Sequence, residues 1–224
     1  MTTARPPVPM ILVVLGVVAI AAGAIVVALR STAPPGVPEG APAMTQAEME
    51  SIARDMRIAP FTGVDHRGNP IDESSLRGHW TVVSFGFTNC TLVCPMLHGQ
   101  IFRMTEKLAE RGVRFLTISV DPDHDTVEQM AAYMQPWGVK NDAWTFARVD
   151  RETVGAMLAG LKMAPIADDP SQTIELPSGG RMANILHPTR FFVVGPDGAV
   201  KGLWGGMNPD DVDALVRWML TRAY

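Results

Sequence analysis

The sequence predicts an α/β domain in which a central β-sheet is flanked by helices, and three observations support this prediction. Apolar runs of strand length, such as "VRFLTISV" at 113–120, alternate with segments that have helical spacing. A Gly-Pro-Asp-Gly turn at 195–198 joins two further apolar runs into a hairpin. A final helix follows, with Asn208 as its N-cap. Strand, helix, strand, helix, hairpin and helix in this order are typical of the thioredoxin type of α/β sandwich.

The individual elements follow from local patterns along the chain. Thr45 and Glu48 form a capping-box sequence, which predicts a helix to about Met56. Two short strands around a Gly-Asn-Pro turn come next, and Pro95 fits the first turn of a long helix. The remaining predicted elements are a strand at 81–87, a helix at 126–137, a strand at 144–149 and a helix at 152–162.

The N-terminus predicts a membrane anchor. Residues 10–29 are uncharged and almost wholly apolar, and twenty helical residues span about 30 Å, the thickness of a bilayer's hydrocarbon core. A cleaved signal peptide is the alternative, but its apolar region is usually about 7–15 residues long. We therefore expect an anchor at 1–30, a Pro/Ala/Gly-rich linker at 31–44 and the folded domain at 45–224.

The charge distribution argues against nucleic-acid binding. The net charge is −4, and the chain beyond Arg30 carries 17 basic and 23 acidic residues with no basic run. Phosphate binding depends on clustered Lys and Arg side chains. The sequence predicts no nucleic-acid partner.

The two cysteines are the main candidates for chemistry. Cys90 and Cys94 are the chain's only cysteines, and they lie where the strand at 81–87 meets the following helix. A helix N-terminus favours a thiolate, and two residues four apart in a near-helical turn share one face. Three interpretations stay open: a stabilising disulfide, a redox pair, or two thiolate ligands of a metal site that needs a further ligand.

The histidines supply candidates for that further ligand. His66, His79 and His124 are expected to be solvent-exposed in loops. His98 lies one helical turn after Cys94 but recedes from the helix terminus, so it is a weaker candidate. His187 precedes the strand of the predicted hairpin that runs beside the cysteine helix, and it is either a ligand or a loop histidine bound to backbone groups.

Other residues have simpler interpretations. Asp121 and Asp123 are expected to cap a helix, although a role near the site is the alternative. The irregular stretch at 164–183 is interpreted as a surface excursion that shields the site or contacts a partner. Five methionines at helical spacing are expected to fill the core: Met96, Met104, Met130, Met134 and Met157.

Three motifs resemble the Sco/SenC family of membrane-anchored, thioredoxin-fold copper proteins. These motifs are "FGFTNCTLVCP", "ISVDPDHDT" and "HPTRFFVVGPDG", and they occur in the family's order within about residues 61–218. The resemblance implies that Cys90 and Cys94 are thiolate ligands of copper, as Cu(I) or Cu(II), and that His187 is the imidazole ligand. It also implies that Cys90 and Cys94 form a redox-switchable pair.

The sequence departs from the family pattern at three positions. Thr91 stands where many members have proline, and Pro188 stands where a small hydroxyl residue often follows the histidine. Leu186 replaces the aspartate that commonly precedes the histidine. Since groups behind a ligand imidazole orient it, this last change bears on copper affinity and on the preferred oxidation state.

The resemblance implies a metallochaperone without chemical turnover that assists assembly of the copper centre of cytochrome c oxidase. Its expected partners are the copper-bearing oxidase subunit, a copper donor and a thioredoxin-like thiol reductant. In a bacterium, the single-pass anchor would lie in the inner membrane with the domain in the periplasm. The alternative function is a thiol:disulfide oxidoreductase that acts on exported cysteine pairs.

Overall fold

The structure is a computed structural model, and it describes residues 45–91, 93–139, 142–176 and 179–223. A seven-stranded sheet, a separate two-stranded hairpin and five α-helices are the main elements of this part of the chain. The helices are α1 (Gln46–Ala53), α2 (Val93–Leu108), α3 (Val127–Met134), α4 (Arg151–Gly160) and α5 (Pro209–Leu220). The strands are β1 (Thr62–Asp65), β2 (Pro70–Asp72), β3 (Thr81–Gly86), β4 (Arg114–Ser119), β5 (Trp144–Val149), β6 (Ala167–Glu175), β7 (Arg181–Leu186), β8 (Arg190–Val194) and β9 (Val200–Gly205).

The seven-stranded sheet is mixed and has the order β2-β1-β5-β4-β3-β8-β9. Strands β3, β4 and β5 are parallel neighbours, which the helical crossovers between them require. Strand β8 runs antiparallel to β3, with Thr81 opposite Val194 and Val83 opposite Phe192. The start of β8 therefore lies at the same end of the sheet as the end of β3.

Local sequence signals explain where the helices begin. Thr45 and Glu48 form the predicted capping box at the start of α1. The side chain of Asp150 accepts the amide of Thr153 at the start of α4, and Asn208 caps α5 immediately before a proline.

The core lies on both faces of the sheet, because the central strands are buried on both sides. Val83 and Phe85 face the cluster that includes Val154 of α4. Val82 faces the opposite cluster, which includes Leu97 of α2. Apolar side chains on both sides hold α2 and the end of β3 in a fixed relation.

Two expectations are corrected by the fold. The stretch expected to be irregular contains the β6–β7 hairpin, in which Asp168 pairs with Ile185 and Ile174 with Met182. Asp121 and Asp123 do not cap α3, because Thr126 does so by accepting the amide of Gln129.

The predicted anchor at 1–30 and the linker at 31–44 lie outside the described residues. Within the described part of the chain, no helix combines the length and the apolar character that a membrane crossing requires.

Candidate metal centre

Both cysteines lie at the carboxyl end of β3, where the chain turns into α2. Cys90 lies in the turn and is 6% exposed, whereas Cys94 lies in the first turn of α2 and is fully buried. No disulfide joins them, so the structure shows the dithiol form. The backbone amide of Cys94 donates to the sulfur of Cys90 over 3.3 Å. A backbone amide at the helix N-terminus thus donates to the sulfur of Cys90, and such an interaction stabilises a thiolate.

His187 lies between β7 and β8, at the same end of the sheet. Its Nε2 atom lies 3.4 Å from the sulfur of Cys94. The ligand atoms of Cys90, Cys94 and His187 all lie within 4.8 Å of one another, and this is the metal-competent group found among the described residues. The antiparallel pairing of β8 with β3 is what brings the imidazole to the cysteines.

Neighbouring groups fix the orientation of the His187 imidazole. The carbonyl oxygen of Pro188 lies 3.1 Å from Nδ1, so Nδ1–H donates to it and Nε2 keeps its lone pair toward Cys94. The ring of Phe87 packs edge-on against the imidazole, with ring centroids 5.8 Å apart. A backbone carbonyl here takes the orienting role that a carboxylate at position 186 would have, and Leu186 is itself 52% exposed.

The Cys94 thiol is held in its protonated form. The hydrogen bond with Cys90, together with burial, raises the pKa of Cys94 well above its usual range, while the amide of Phe87 acts in the opposite direction. A soft metal ion that binds this sulfur must therefore displace its proton.

An open cleft of about 590 Å³ gives access to the site between the start of α2 and the β6–β7 hairpin. Cys90 and His187 lie on its wall, while Cys94 lies beneath. Its other lining residues, among those that the structure describes, include no Asp, Glu, Lys or Arg: Thr91, Val93, Gln172, Thr173, Ile174, Asn184, Ile185, Leu186 and Thr189. The described opening above Cys90 and His187 is therefore uncharged.

The other loop histidines, His66, His79 and His124, are less exposed than expected, and His66 is buried. His66 was expected to be exposed but is 9% exposed, and its Nδ1 accepts the amide of Phe146. Burial is the main cause that lowers the pKa of His66. His79 is half-buried, and His124, with a side chain 39% exposed, bonds through Nδ1 to Asp121. None of these three belongs to the group around Cys90.

His98 is fully buried behind Cys94 and is not part of the three-ligand group. Its Nδ1 lies 2.7 Å from the hydroxyl of Tyr133, and no described residue is a hydrogen-bond partner of its Nε2. Burial lowers the pKa of His98 to about 3, so its imidazole is neutral. Helical spacing alone does not predict this environment.

Asp125 is a site-supporting residue that the sequence analysis missed. Its carboxylate is fully buried and accepts hydrogen bonds from the amide and hydroxyl of Thr88 and from the hydroxyl of Ser119. Because Thr88 lies just before Cys90, Asp125 holds the turn that carries the first thiol. The available signal was its place in the "ISVDPDHDT" motif, which also contains Asp121 and Asp123.

Asp121 and Asp123 have other roles. Asp121 is buried with His124 against its carboxylate, and Asp123 forms a surface ion pair of 2.7 Å with Arg151.

Met96 is the methionine for which the core prediction is wrong. It is 60% exposed, in the first turn of α2. The other four are buried, as predicted: Met104, Met130, Met134 and Met157.

Two thiols and an imidazole with its lone pair available form a soft donor set. Copper(I) prefers such sulfur-rich sites with an imidazole, and the three atoms lie close enough together to surround one ion. The same dithiol can also exchange with disulfides. The fold and the site together define a thioredoxin-like protein whose donor atoms suit soft-metal binding or thiol–disulfide exchange.

Comparison with known proteins then identifies the family. The SCO1/SenC family model matches residues 50–220, and the chain belongs to this family. A Bacillus subtilis (strain 168) relative, described as a SCO1 protein homolog, is 26% identical over 165 residues, covering 71% of this chain and 79% of the relative.

Solved structures agree on the fold. A SCO1/SenC family lipoprotein from Bacillus anthracis has a TM-score of 0.65 at 21% identity, covering 76% of this chain and 96% of its own. Arabidopsis thaliana ScoI with copper bound has a TM-score of 0.56 at 22% identity, covering 73% and 95%. BsSco has a TM-score of 0.57 at 25% identity, covering 75% and 95%. It is described as a member of the Sco family of cytochrome c oxidase assembly proteins in which a disulfide switch was identified.

Proposed function

We propose that this protein is a membrane-anchored copper metallochaperone that assists assembly of the copper centre of cytochrome c oxidase. The observation that carries the proposal is the convergence of the Cys90 and Cys94 sulfurs and the His187 imidazole within 4.8 Å. Membership of the SCO1/SenC family, in which a copper-bound structure is known, supports copper as the metal.

Copper is cargo in this proposal, and the three side chains hold it between a donor and a client. Cys94 and His187 provide two donors already in contact, and Cys90 lies on the wall of the cleft. A ligand from a client protein that enters the cleft can displace Cys90 first and take the ion by stepwise ligand exchange. The copper-bearing subunit of the oxidase is the proposed client, and the donor is a second copper-carrying protein.

The N-terminal sequence supports the proposed location. The apolar stretch at 10–29 is long enough to anchor the chain, and the linker at 31–44 then holds the domain of 45–224 near the membrane. We place the domain on the extracytoplasmic side, in the periplasm of a bacterium with two membranes. Anchoring keeps the copper site beside a membrane-bound oxidase.

The dithiol couples metal binding to redox state. Oxidation of Cys90 and Cys94 to a disulfide releases two electrons and two protons to an exported disulfide, which becomes a dithiol. A thioredoxin-like dithiol partner runs the reverse exchange, restoring both thiols as its own pair becomes a disulfide. The disulfide lacks both thiolate ligands, so only the reduced form carries copper.

The test is titration of the reduced full-length protein in detergent with Cu(I), beside Cys90→Ser, Cys94→Ser and His187→Ala. One ion per chain is expected, with binding abolished in either serine variant and greatly weakened in the alanine variant. His79→Ala is the matched control, because His79 does not belong to the metal-competent group. Tight binding that survives in His187→Ala would reject the proposed centre.

A second candidate function, thiol:disulfide oxidoreductase, is favoured by one observation. The dithiol lies at the start of a helix, with the Cys94 amide donating to the Cys90 sulfur that faces the open cleft. Reduction of a disulfide substrate by the metal-free protein, unchanged in His187→Ala, would favour this function over the chaperone.

A further inference from the structure

The inference concerns the buried imidazole of His98 and rests on the proposed copper function. His98 is fully enclosed, and aromatic rings surround its imidazole with centroids 5.3–6.5 Å away. These rings belong to Tyr133, Trp137, Trp144 and Phe146. Such packing fixes the plane of the imidazole, so its two nitrogen atoms have fixed neighbours.

The nitrogen atoms of His98 have unequal surroundings. The Tyr133 hydroxyl lies 2.7 Å from Nδ1, whereas Nε2 is buried and has no hydrogen-bond partner in the part of the chain that the structure describes. A phenol is the better donor and an imidazole lone pair the better acceptor, so the Tyr133 hydroxyl donates to Nδ1. A neutral imidazole carries one N–H, and this assignment places it on Nε2.

The Nε2–H group lies beside the copper site. A Cβ atom on Gly86 would be 3.0 Å from Nε2 of His98 and 3.2 Å from the sulfur of Cys94. The absence of a side chain at Gly86 thus lets the two atoms border the same small space at the end of β3. A sulfur with a full negative charge is a much stronger acceptor than a neutral thiol.

We propose that His98 is a positioning residue for copper, whose Nε2–H donates a hydrogen bond to the Cys94 sulfur when that sulfur becomes a copper thiolate. Nε2 of His187 lies 3.4 Å from the Cys94 sulfur, and the backbone amide of Phe87 donates to that sulfur over 3.5 Å. A copper thiolate at Cys94 carries negative charge, which the amide of Phe87 and Nε2–H of His98 stabilise together. The Nε2–H group of His98 therefore finds its acceptor, the Cys94 thiolate, when copper is bound.

The first test uses the unaltered protein and does not require transfer of copper to a client. Nitrogen-15 NMR of the reduced, metal-free full-length chain in detergent micelles reports which His98 nitrogen carries hydrogen. The Nε2–H tautomer is expected, with a slowly exchanging proton that shifts downfield on addition of Cu(I). The Nδ1–H tautomer, or an unmoved Nε2–H signal at one bound copper per chain, would overturn the proposal.

The second test separates hydrogen bonding from packing. His98→Gln keeps an N–H donor near the Nε2 position, whereas His98→Leu keeps the volume and removes the donor. Competition with a Cu(I) chelator should show a roughly tenfold loss of affinity in His98→Leu and near-parent affinity in His98→Gln. Equal affinities in the two variants overturn the inference.

A negative result for His98 can be distinguished from a failure of the proposed copper function. If Cys90→Ser abolishes Cu(I) binding while His98→Leu matches the parent, the copper function stands and the role of His98 falls. If Cys90→Ser binds Cu(I) as the parent does, the proposed centre itself is wrong.

Discussion

The sulfur of Cys94 lies 3.4 Å from Nε2 of His187, although 93 residues separate them in the chain. The register of β8 against β3 creates this proximity, because it places the residues before β8 beside the turn that follows β3. The site therefore depends on the sheet being formed. When Cu(I) is added to protein already equilibrated in urea, tight binding should accordingly be lost over the same urea range as tertiary structure.

The apparent affinity for Cu(I) should rise with pH. The hydrogen bond with Cys90 and burial raise the pKa of Cys94, so this thiol keeps its proton through the neutral range and copper must displace it. Each pH unit between about 6 and 8 should strengthen binding by roughly tenfold or more. Chelator competition at several pH values measures this, and calorimetry in buffers of different ionisation enthalpy counts the protons released. An affinity that stays constant with pH would show that Cys94 is already a thiolate.

The oxidised protein should bind no Cu(I). A Cys90–Cys94 disulfide removes both thiolate ligands and leaves one imidazole, which alone is a poor copper site. Diamide-oxidised protein, passed over a desalting column after exposure to Cu(I), should carry no metal until dithiothreitol is added. Stoichiometric uptake by the oxidised form would refute the coupling between redox state and copper binding.

Gly86→Ala should damage the site more than the fold. The added Cβ would lie 3.0 Å from Nε2 of His98 and 3.2 Å from the Cys94 sulfur, so both side chains must shift. We expect a loss of about 1–3 kcal/mol in the free energy of unfolding and a weaker affinity for Cu(I). Urea unfolding and chelator competition measure the two effects.

Gly99→Ala provides the control for that substitution. Gly99 lies within α2, and a Cβ there meets no atom of the described residues within 4 Å. This variant should gain roughly 0.5–1 kcal/mol of stability from helix propensity, with unchanged copper affinity. A Gly86→Ala variant that behaves like Gly99→Ala would show that the space at Gly86 has no role in the site.

Asp125 should make the protein less stable as pH rises from about 4 to 6. Burial is the main cause that raises the pKa of Asp125 from 3.8 to about 6, so the folded state keeps a proton that the unfolded chain has already lost. The folded state thus binds more protons in this range, and the slope of stability against pH is negative, with a total loss of roughly 3 kcal/mol. Above about pH 6 this contribution is constant.

Asp125→Asn isolates this contribution because asparagine does not titrate. Urea unfolding at pH 4, 5, 6 and 7 measures the unfolding free energy of parent and variant. The stability of the variant relative to the parent should increase as pH rises. A difference that is independent of pH, or that changes in the opposite direction, contradicts the pKa shift.

The sequence predicted much of the fold because strong local signals coincide with its elements. Thr45 and Glu48 specify a capping box, and the apolar run at 113–120 contains β4. The β6–β7 hairpin escaped prediction because most of its side chains are exposed, so no alternation of apolar and polar residues marks its strands. Pairing between two polar strands depends on tertiary contacts that no local pattern shows.

The site was predictable to different degrees. The motif resemblance named Cys90, Cys94 and His187, and the structure brings these three together, while their role as ligands stays a prediction. The surroundings of His98 were not predictable, because they depend on Tyr133, 35 residues further along the chain. The role of Asp125 likewise depends on a contact with Thr88 across 37 residues.

The β6–β7 hairpin can vary in sequence independently of the three side chains of the metal centre. Strands β6 and β7 pair only with each other in the described sheets, and Ile174 and Ile185 attach them to the core. Most other hairpin side chains face solvent, so they can change without altering the register that sets the distance between Cys94 and His187. Substitutions confined to this surface hairpin can therefore reshape the wall of the cleft while the sulfur and nitrogen donors stay in place.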